Sequence, residues 1–260
     1  MQNFNTVKLL FLGTGSAYTL GGGNYQSNML LQSPGGKNLL IDCGSDIRFS
    51  LYEQGLSYAD IDAVYVSHLH ADHIGGLEWL AINTLFDTKK KPQLFVHESL
   101  VNPLWNHSLA GGLTTLEDTV INLETYFDVK PIDQSLTFNW EGLDFEIVQT
   151  EHIHLHEGNM PSYGLILKGQ DANYFITTDT QFTPERLMPF YEKATLVFHD
   201  CETSLKRTGC HAHYEDLITL IPEIKSKMWL YHYQTGALPD AEKAGFKGFL
   251  KKGASFNLTI

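Results

Sequence analysis

With 260 residues, 43% of them hydrophobic and 12% aromatic, the chain carries enough apolar material for a sizeable core and too much for a disordered segment. Its formal net charge of −12, with Lys89-Lys90-Lys91 and Lys251-Lys252 as the only basic clusters, argues against a protein built to grip a long polyanion. No run approaches the ~18 apolar residues of a membrane span, and three cysteines (Cys43, Cys201, Cys210) without Cys-x-x-Cys spacing suit a reducing compartment.

The N-terminus lacks the charged and apolar regions of a signal peptide, so a cytoplasmic protein is expected. Val7 to Leu12 reads as a first strand, ending in Gly13-Thr-Gly15. That turn is not a dinucleotide loop, because Tyr18 stands where a third glycine would be needed. Met29 to Leu31 and Asn38 to Ile41 form a hairpin across Pro34-Gly-Gly36, and Ile47 to Gln54 has helical spacing up to Gly55. Val64 to Ser67 is a β-branched strand of the buried type that runs into His68-Leu-His70-Ala-Asp72-His73. His68 and His70, two apart on an extended chain, project from one face. Four imidazole and carboxylate donors in six residues, on a strand-to-helix corner, are the donor set of zinc or a neighbouring first-row metal.

A helix is predicted from Leu77 through Leu85, then a strand from Leu94 to His97. Residues 99–128 read as an insertion, either a substrate lid or dimer contact or an amphipathic helix packed on the body. Leu136 to Phe138 and Leu143 to Thr150 are strands, the second feeding His152, His154 and His156. Gly164 to Lys168 pairs with Tyr174 to Thr177, which leads to Asp179, and Leu196 to Phe198 leads to His199-Asp200. A helix over Tyr214 to Leu220 and a strand over Met228 to Tyr231, ending in His232, complete the pattern. Strands and helices occur in both halves with metal-type residues at strand ends, so the fold class expected is α/β, a four-layer αββα sandwich formed by residues 1–260 as one domain.

The His-x-His-x-Asp-His signature at residues 68–73, with Phe11-Leu-Gly-Thr-Gly15 and Tyr231-His232, resembles the metallo-β-lactamase superfamily and within it the ribonuclease Z-like phosphodiesterase branch. It is also similar to the anti-Pycsar cyclic-nucleotide phosphodiesterases. The resemblance implies two zinc ions, with manganese or iron sharing the same donors. It implies seven ligands: His68, His70 and a third histidine for one ion, and Asp72, His73 and His232 for the other, with Asp179 bridging. His152 is placed third because it stands at a strand end, with His154 on the same face by period-two spacing and His156 in the loop. Asp42 corresponds to an aspartate that supports the metal corner without ligating it.

The chemistry implied is hydrolysis of a phosphodiester by a metal-bridging hydroxide, with Asp72 in the catalytic group. The leaving oxygen then takes a proton from a histidine, His211, oriented by Asp200 where the branch usually has glutamate; His213 is the alternative. His199 is read as a support for neighbouring groups, and His97 and His107 as structural or surface residues. The expected substrate is a small nucleotide, in particular a cyclic one, in a homodimeric enzyme. Alternatives are a ribonuclease Z-type transfer-RNA endonuclease, disfavoured by the acidic charge, and a lactone, thioester or β-lactam hydrolase, which needs no such proton donor.

Overall fold

In a computed structural model that describes residues 6–21, 23–115, 120–156 and 158–260, Val7, Leu9 and Phe11 are buried while Lys8 is exposed. This alternation makes Thr6–Phe11 (β1) a strand with one face on the core. Next come β2 (Met29–Gln32), β3 (Asn38–Ile41), β4 (Ala63–Val66), β5 (Gln93–His97) and β6 (Asp128–Ile132). The last member of their sheet in chain order is the C-terminal strand β14 (Ser255–Thr259), giving the order β14-β1-β2-β3-β4-β5-β6. From β3 to β6 the strands run parallel, and β4 is buried at every position. Its unbroken Ala-Val-Tyr-Val run is what a strand covered on both faces requires.

The second sheet has the order β13-β12-β11-β10-β9-β8-β7. It is built from β7 (Thr137–Trp140), β8 (Leu143–His154), β9 (Asn159–Lys168), β10 (Asn173–Ile176), β11 (Leu196–Asp200), β12 (Met228–Tyr231) and β13 (Gly248–Phe249). Its first four strands are antiparallel and its last four parallel. The sheets meet through aromatic side chains: Phe11 of β1 lies 5.3 Å from Phe198 of β11 and 5.8 Å from Tyr231 of β12, ring centre to ring centre. On the far side of the second sheet, Leu187 and Tyr191 of the helix Pro184–Lys193 pack with Phe175, Val197, Met228 and Leu230. The result is the α/β sandwich with helices outside and two sheets within.

Several boundaries depart from the expectations. The helix from Leu77 ends at Asn83 and continues as a π turn, Thr84–Thr88, in which Thr84 Oγ1 donates to the Leu80 carbonyl and competes with the regular ladder. The helix from Tyr214 stops at Leu217. Residues 99–115 form short helices whose Leu100, Leu104, Leu109 and Leu113 are buried on the body, and no residue of 99–128 lines the cavity beside the histidine corner, among those described. Residues 116–119 of that insertion, and residues 1–5, lie outside the described residues. Among the described residues no helix is long and apolar enough to cross a membrane.

Candidate metal centre

The site is assembled where strands of both sheets end. The corner after β4 supplies His68, His70, Asp72 and His73 from the first sheet. From the second come His152 on β8, Asp179 after β10, and His232 after β12. Three non-glycine residues at strand ends around the site lie in the left-handed region: Asp42 after β3 at φ 61°, Thr178 after β10 at φ 51° and His232 after β12 at φ 65°. Such backbone costs about 1–3 kcal/mol per residue and persists where surrounding bonds over-determine it. At Asp42 those bonds are visible. Its carboxylate accepts from the Ser67 amide (2.8 Å), the Ser67 hydroxyl (2.7 Å) and His73 Nδ1 (2.7 Å). Beside it, Gly44 lies so near the Asp72 carbonyl that any Cβ would collide with it.

Three groups of donors converge, each within 4.8 Å and each including Asp179: His68/His70/His152/Asp179, Asp72/His73/Asp179/His232, and Asp179/Asp200/His211/His232, of which the first two hold the expected ligands. In the first, His70 Nδ1 is 3.1 Å from His68 Nε2 and 3.1 Å from His152 Nε2, while Asp179 Oδ2 is 3.7 Å and 3.6 Å from the latter two nitrogens. In the second, His73 Nε2 is 3.2 Å from Asp72 Oδ2 and 3.3 Å from Asp179 Oδ2, and His232 Nε2 is 3.5 Å from Asp72 and 3.4 Å from Asp179. Two donors held 2.0–2.1 Å from one tetrahedral cation stand about 3.3 Å apart, so both spacings suit a divalent metal. His73 Nε2 and Asp179 Oδ1 are buried yet make no properly aligned hydrogen bond, so these atoms lack a protein partner of the usual kind. The residues fit two divalent ions.

Burial lowers the pKa of His68, His70 and His152, which leaves their rings neutral and available as donors. Burial works against the charge of Asp179 as well, but His232 and His73 outweigh it and hold this carboxyl well below the usual range. Each imidazole is oriented from behind: Ser67 Oγ lies 3.0 Å from His68 Nδ1, Asp42 takes His73 Nδ1–H, and the Cys210 carbonyl accepts from His152 Nδ1 at 2.8 Å.

A second layer of polar groups adjoins these donors. Asp200 Oδ2 accepts from His211 Nδ1 at 2.8 Å and from the Thr180 amide at 2.9 Å, and Asp200 Oδ1 lies 3.3 Å from His232 Nδ1. Burial opposes the charge on His211, but the neighbouring Asp200 carboxylate prevails and pushes its pKa up to about 12. His70, Asp72, Asp179, His211 and Cys210 line a cavity of about 510 Å³, closed on other sides by Ser16, Tyr18, Ile153 and Gln234.

The remaining histidines are elsewhere. His154 is exposed at the end of β8, 3.2 Å from Gln181 Oε1. His213 caps the helix Tyr214–Leu217 by accepting from the Glu215 amide, and its Nε2 lies 3.0 Å from the Ser204 carbonyl. His199 is buried between the Tyr191 hydroxyl (2.6 Å) and the Asp200 carbonyl (2.6 Å), and His97 stacks on Tyr163. Neither lines the cavity. Sequence reasoning passed over Ser67, although it directly precedes His68, and Glu202. The latter is wholly buried and accepts from the Thr208 amide (2.9 Å) and hydroxyl (3.1 Å), bracing the loop that carries Cys210 and His211.

Comparison with known proteins finds a family model described as "Anti-Pycsar protein Apyc1" matching residues 7–256. A relative of that description from Paenibacillus harenae is 39% identical over 230 residues, 87% of this chain and 90% of its own. Another, from Bacillus phage vB_BsuM-Goe3, is 35% identical over 257 residues, 96% of this chain and 97% of its own. Among solved structures, the metallo-β-lactamase fold protein YhfI of Bacillus subtilis superposes with a TM-score of 0.75 at 18% identity, covering 97% of this chain and 100% of that one. The short form of human tRNase Z (ELAC1) does so with a TM-score of 0.70 at 16% identity, covering 97% and 100%. These two likenesses concern the fold.

Proposed function

This chain belongs to the Anti-Pycsar protein Apyc1 family and is a hydrolase of the metallo-β-lactamase fold, and from that premise we propose that it cleaves a phosphodiester bond of a small nucleotide, in particular a cyclic mononucleotide. Residues 1–260 act in this reading as one hydrolase domain. His68, His70, His152 and Asp179 would hold one divalent cation and Asp72, His73, His232 and Asp179 the other, zinc being the proposed metal. Bound there, two such ions acidify a shared water and neutralise charge gathering on phosphoryl oxygens.

The protein's own residues do the rest. Asp42 and the Cys210 carbonyl fix the rings of His73 and His152, so the donors are pre-set before substrate arrives. Asp200 holds His211 by Nδ1, which leaves Nε2 for the cavity, and keeps the ring protonated. A protonated imidazole beside the reacting phosphorus can hand its proton to a departing ribose oxygen, a poor leaving group without it. This is the observation that carries the reading. An ester or lactam hydrolase has no need of a second carboxylate–histidine pair facing the same cavity as the metal donors. The net charge of −12 weighs against a long RNA and for a compact nucleotide.

The test is to load the protein with zinc or manganese and assay bis-p-nitrophenyl phosphate together with cyclic mononucleotides. Hydrolysis of both classes is expected. Failure on every phosphodiester, with turnover of a lactone or thioester instead, would overturn the proposal.

A further inference from the structure

The segment between β11 and the helix Tyr214–Leu217 carries two groups on which the site depends. The Cys210 carbonyl accepts from His152 Nδ1 and His211 Nδ1 donates to Asp200, so adjacent residues of one loop fix a metal donor and the proton donor. The base of this loop is closed. The Glu202 amide donates to the Ala212 carbonyl at 2.8 Å, and the Tyr214 amide to the Glu202 carbonyl at 2.9 Å. Thr203 is tied to Gln234, whose Oε1 accepts from the Thr203 amide at 2.6 Å and its hydroxyl at 3.2 Å. Residues 203–211 thus form a compact excursion with its ends together, an Ω-loop.

Loops of this kind are ordinarily packed by their own side chains. Here Leu205, Lys206 and Arg207 are exposed, and the wholly buried side chain of Glu202 sits between the two limbs instead. Its Oε1 accepts from the Ser204 hydroxyl on one limb and the Thr208 amide on the other (2.9 Å), and its Oε2 accepts from the Thr208 hydroxyl (3.1 Å). Arg207 of the same loop pairs with Asp216 rather than with Glu202. Burying a carboxyl without a cation is costly unless donors surround it, and the side-chain donors here all come from the loop. Thr208 stands two residues before Cys210, and Gly209 at φ 80° turns the chain between them. The grip on Thr208 therefore sets the direction in which the Cys210 carbonyl and His211 leave the loop.

Resting on the phosphodiesterase reading above, we propose that Glu202 is a positioning residue that governs two functions through one loop: the aim of His152 at its metal, and the reach of His211 to the leaving oxygen. Without the carboxyl, Ser204 and Thr208 turn to water and the two limbs part while the base stays closed. A displacement of about 1 Å at a reacting group is enough to cost about 10²-fold in rate. Loss of the group that orients a ligating imidazole costs about 10–100-fold in metal affinity.

The experiment compares the native chain with Glu202→Ala, Glu202→Gln and Ser204→Ala. Metal affinity is read by competition with a chromogenic chelator, and kcat and KM of the metal-loaded proteins on a cyclic mononucleotide and on bis-p-nitrophenyl phosphate. Glu202→Ala is expected to bind metal about 10–100-fold more weakly. At saturating metal its kcat should fall about 10²-fold on the cyclic nucleotide, with KM little changed, and far less on the aryl diester, whose phenolate needs no proton. Glu202→Gln should recover most of both losses, because its amide oxygen can take the Thr208 bonds while its nitrogen donates to Ser204 Oγ. Ser204→Ala, at a half-exposed position, should shift both readouts in the same direction by a smaller factor, and it decides the matter should Glu202→Ala fail to fold. Native metal affinity with an equal fall on both substrates would mark Glu202 as merely structural and overturn the proposal, as would a glutamine variant no better than alanine. A native chain that cleaves the aryl diester but no cyclic nucleotide overturns the functional reading instead, and the chelator titration then still decides the role of Glu202.

Discussion

His211 Nδ1 lies 2.8 Å from Asp200 Oδ2, and the other oxygen of the same carboxylate lies 3.3 Å from His232 Nδ1. One buried carboxylate thereby ties the proposed proton donor to a proposed metal ligand. His211→Ala should reduce kcat on a cyclic nucleotide by about 10²–10⁴, the usual worth of a positioned general acid. On bis-p-nitrophenyl phosphate, whose phenolate leaves unaided, the loss should be far smaller. Equal losses on both substrates would show that His211 does something other than protonate the leaving oxygen.

Metal stoichiometry separates the ligand assignments. Elemental analysis of the purified protein is expected to give two divalent ions per chain, falling to one or none in Asp179→Asn, because this carboxylate serves both donor groups. His152→Ala should lose metal, whereas His154→Ala should retain the native content, since His154 sits exposed beside Gln181.

Removing the supports should weaken binding without removing a donor. Asp42 takes three hydrogen bonds from Ser67 and His73. Asp42→Ala is expected to lower metal affinity about 10–100-fold in a competition titration with a chromogenic chelator. Gly44→Ala should act from the other side by pushing on the Asp72 carbonyl. Retention of native affinity in both variants would contradict the supporting role.

Tyr191→Phe removes the hydroxyl 2.6 Å from His199 Nε2 and leaves that buried nitrogen without its partner. A cost of about 1–3 kcal/mol is expected in urea unfolding, with kcat changed much less than stability because neither residue lines the cavity.

The fold class and the histidine corner were legible because their signals are local: an apolar β4 run, then four donors within one turn. Choosing between His152 and His154 was harder. Both sit on one face by alternation, but β8 has an irregular register between Thr150 and Ile153 and outruns the cavity, leaving His154 exposed. β14 has a single buried residue, Leu258, and gains its identity only by pairing with β1 across the whole chain, so its pattern carries little on its own. The helix Pro184–Lys193 did have a local signal, proline in its first turn and a terminal lysine, that went unread. Glu202 and Gln234 were invisible because their roles depend on which loops fold back toward them.

The donors come from opposite layers of the sandwich, four from the β4 corner and three from the ends of strands in the facing sheet. An ion seated among them is therefore a staple between the halves of the molecule, comparable in topology to a disulfide that joins distant parts of the sequence. Release of either half abolishes its coordination, so occupied donors should raise the temperature at which the two layers part above that of the metal-free chain, by an amount that grows with free metal concentration.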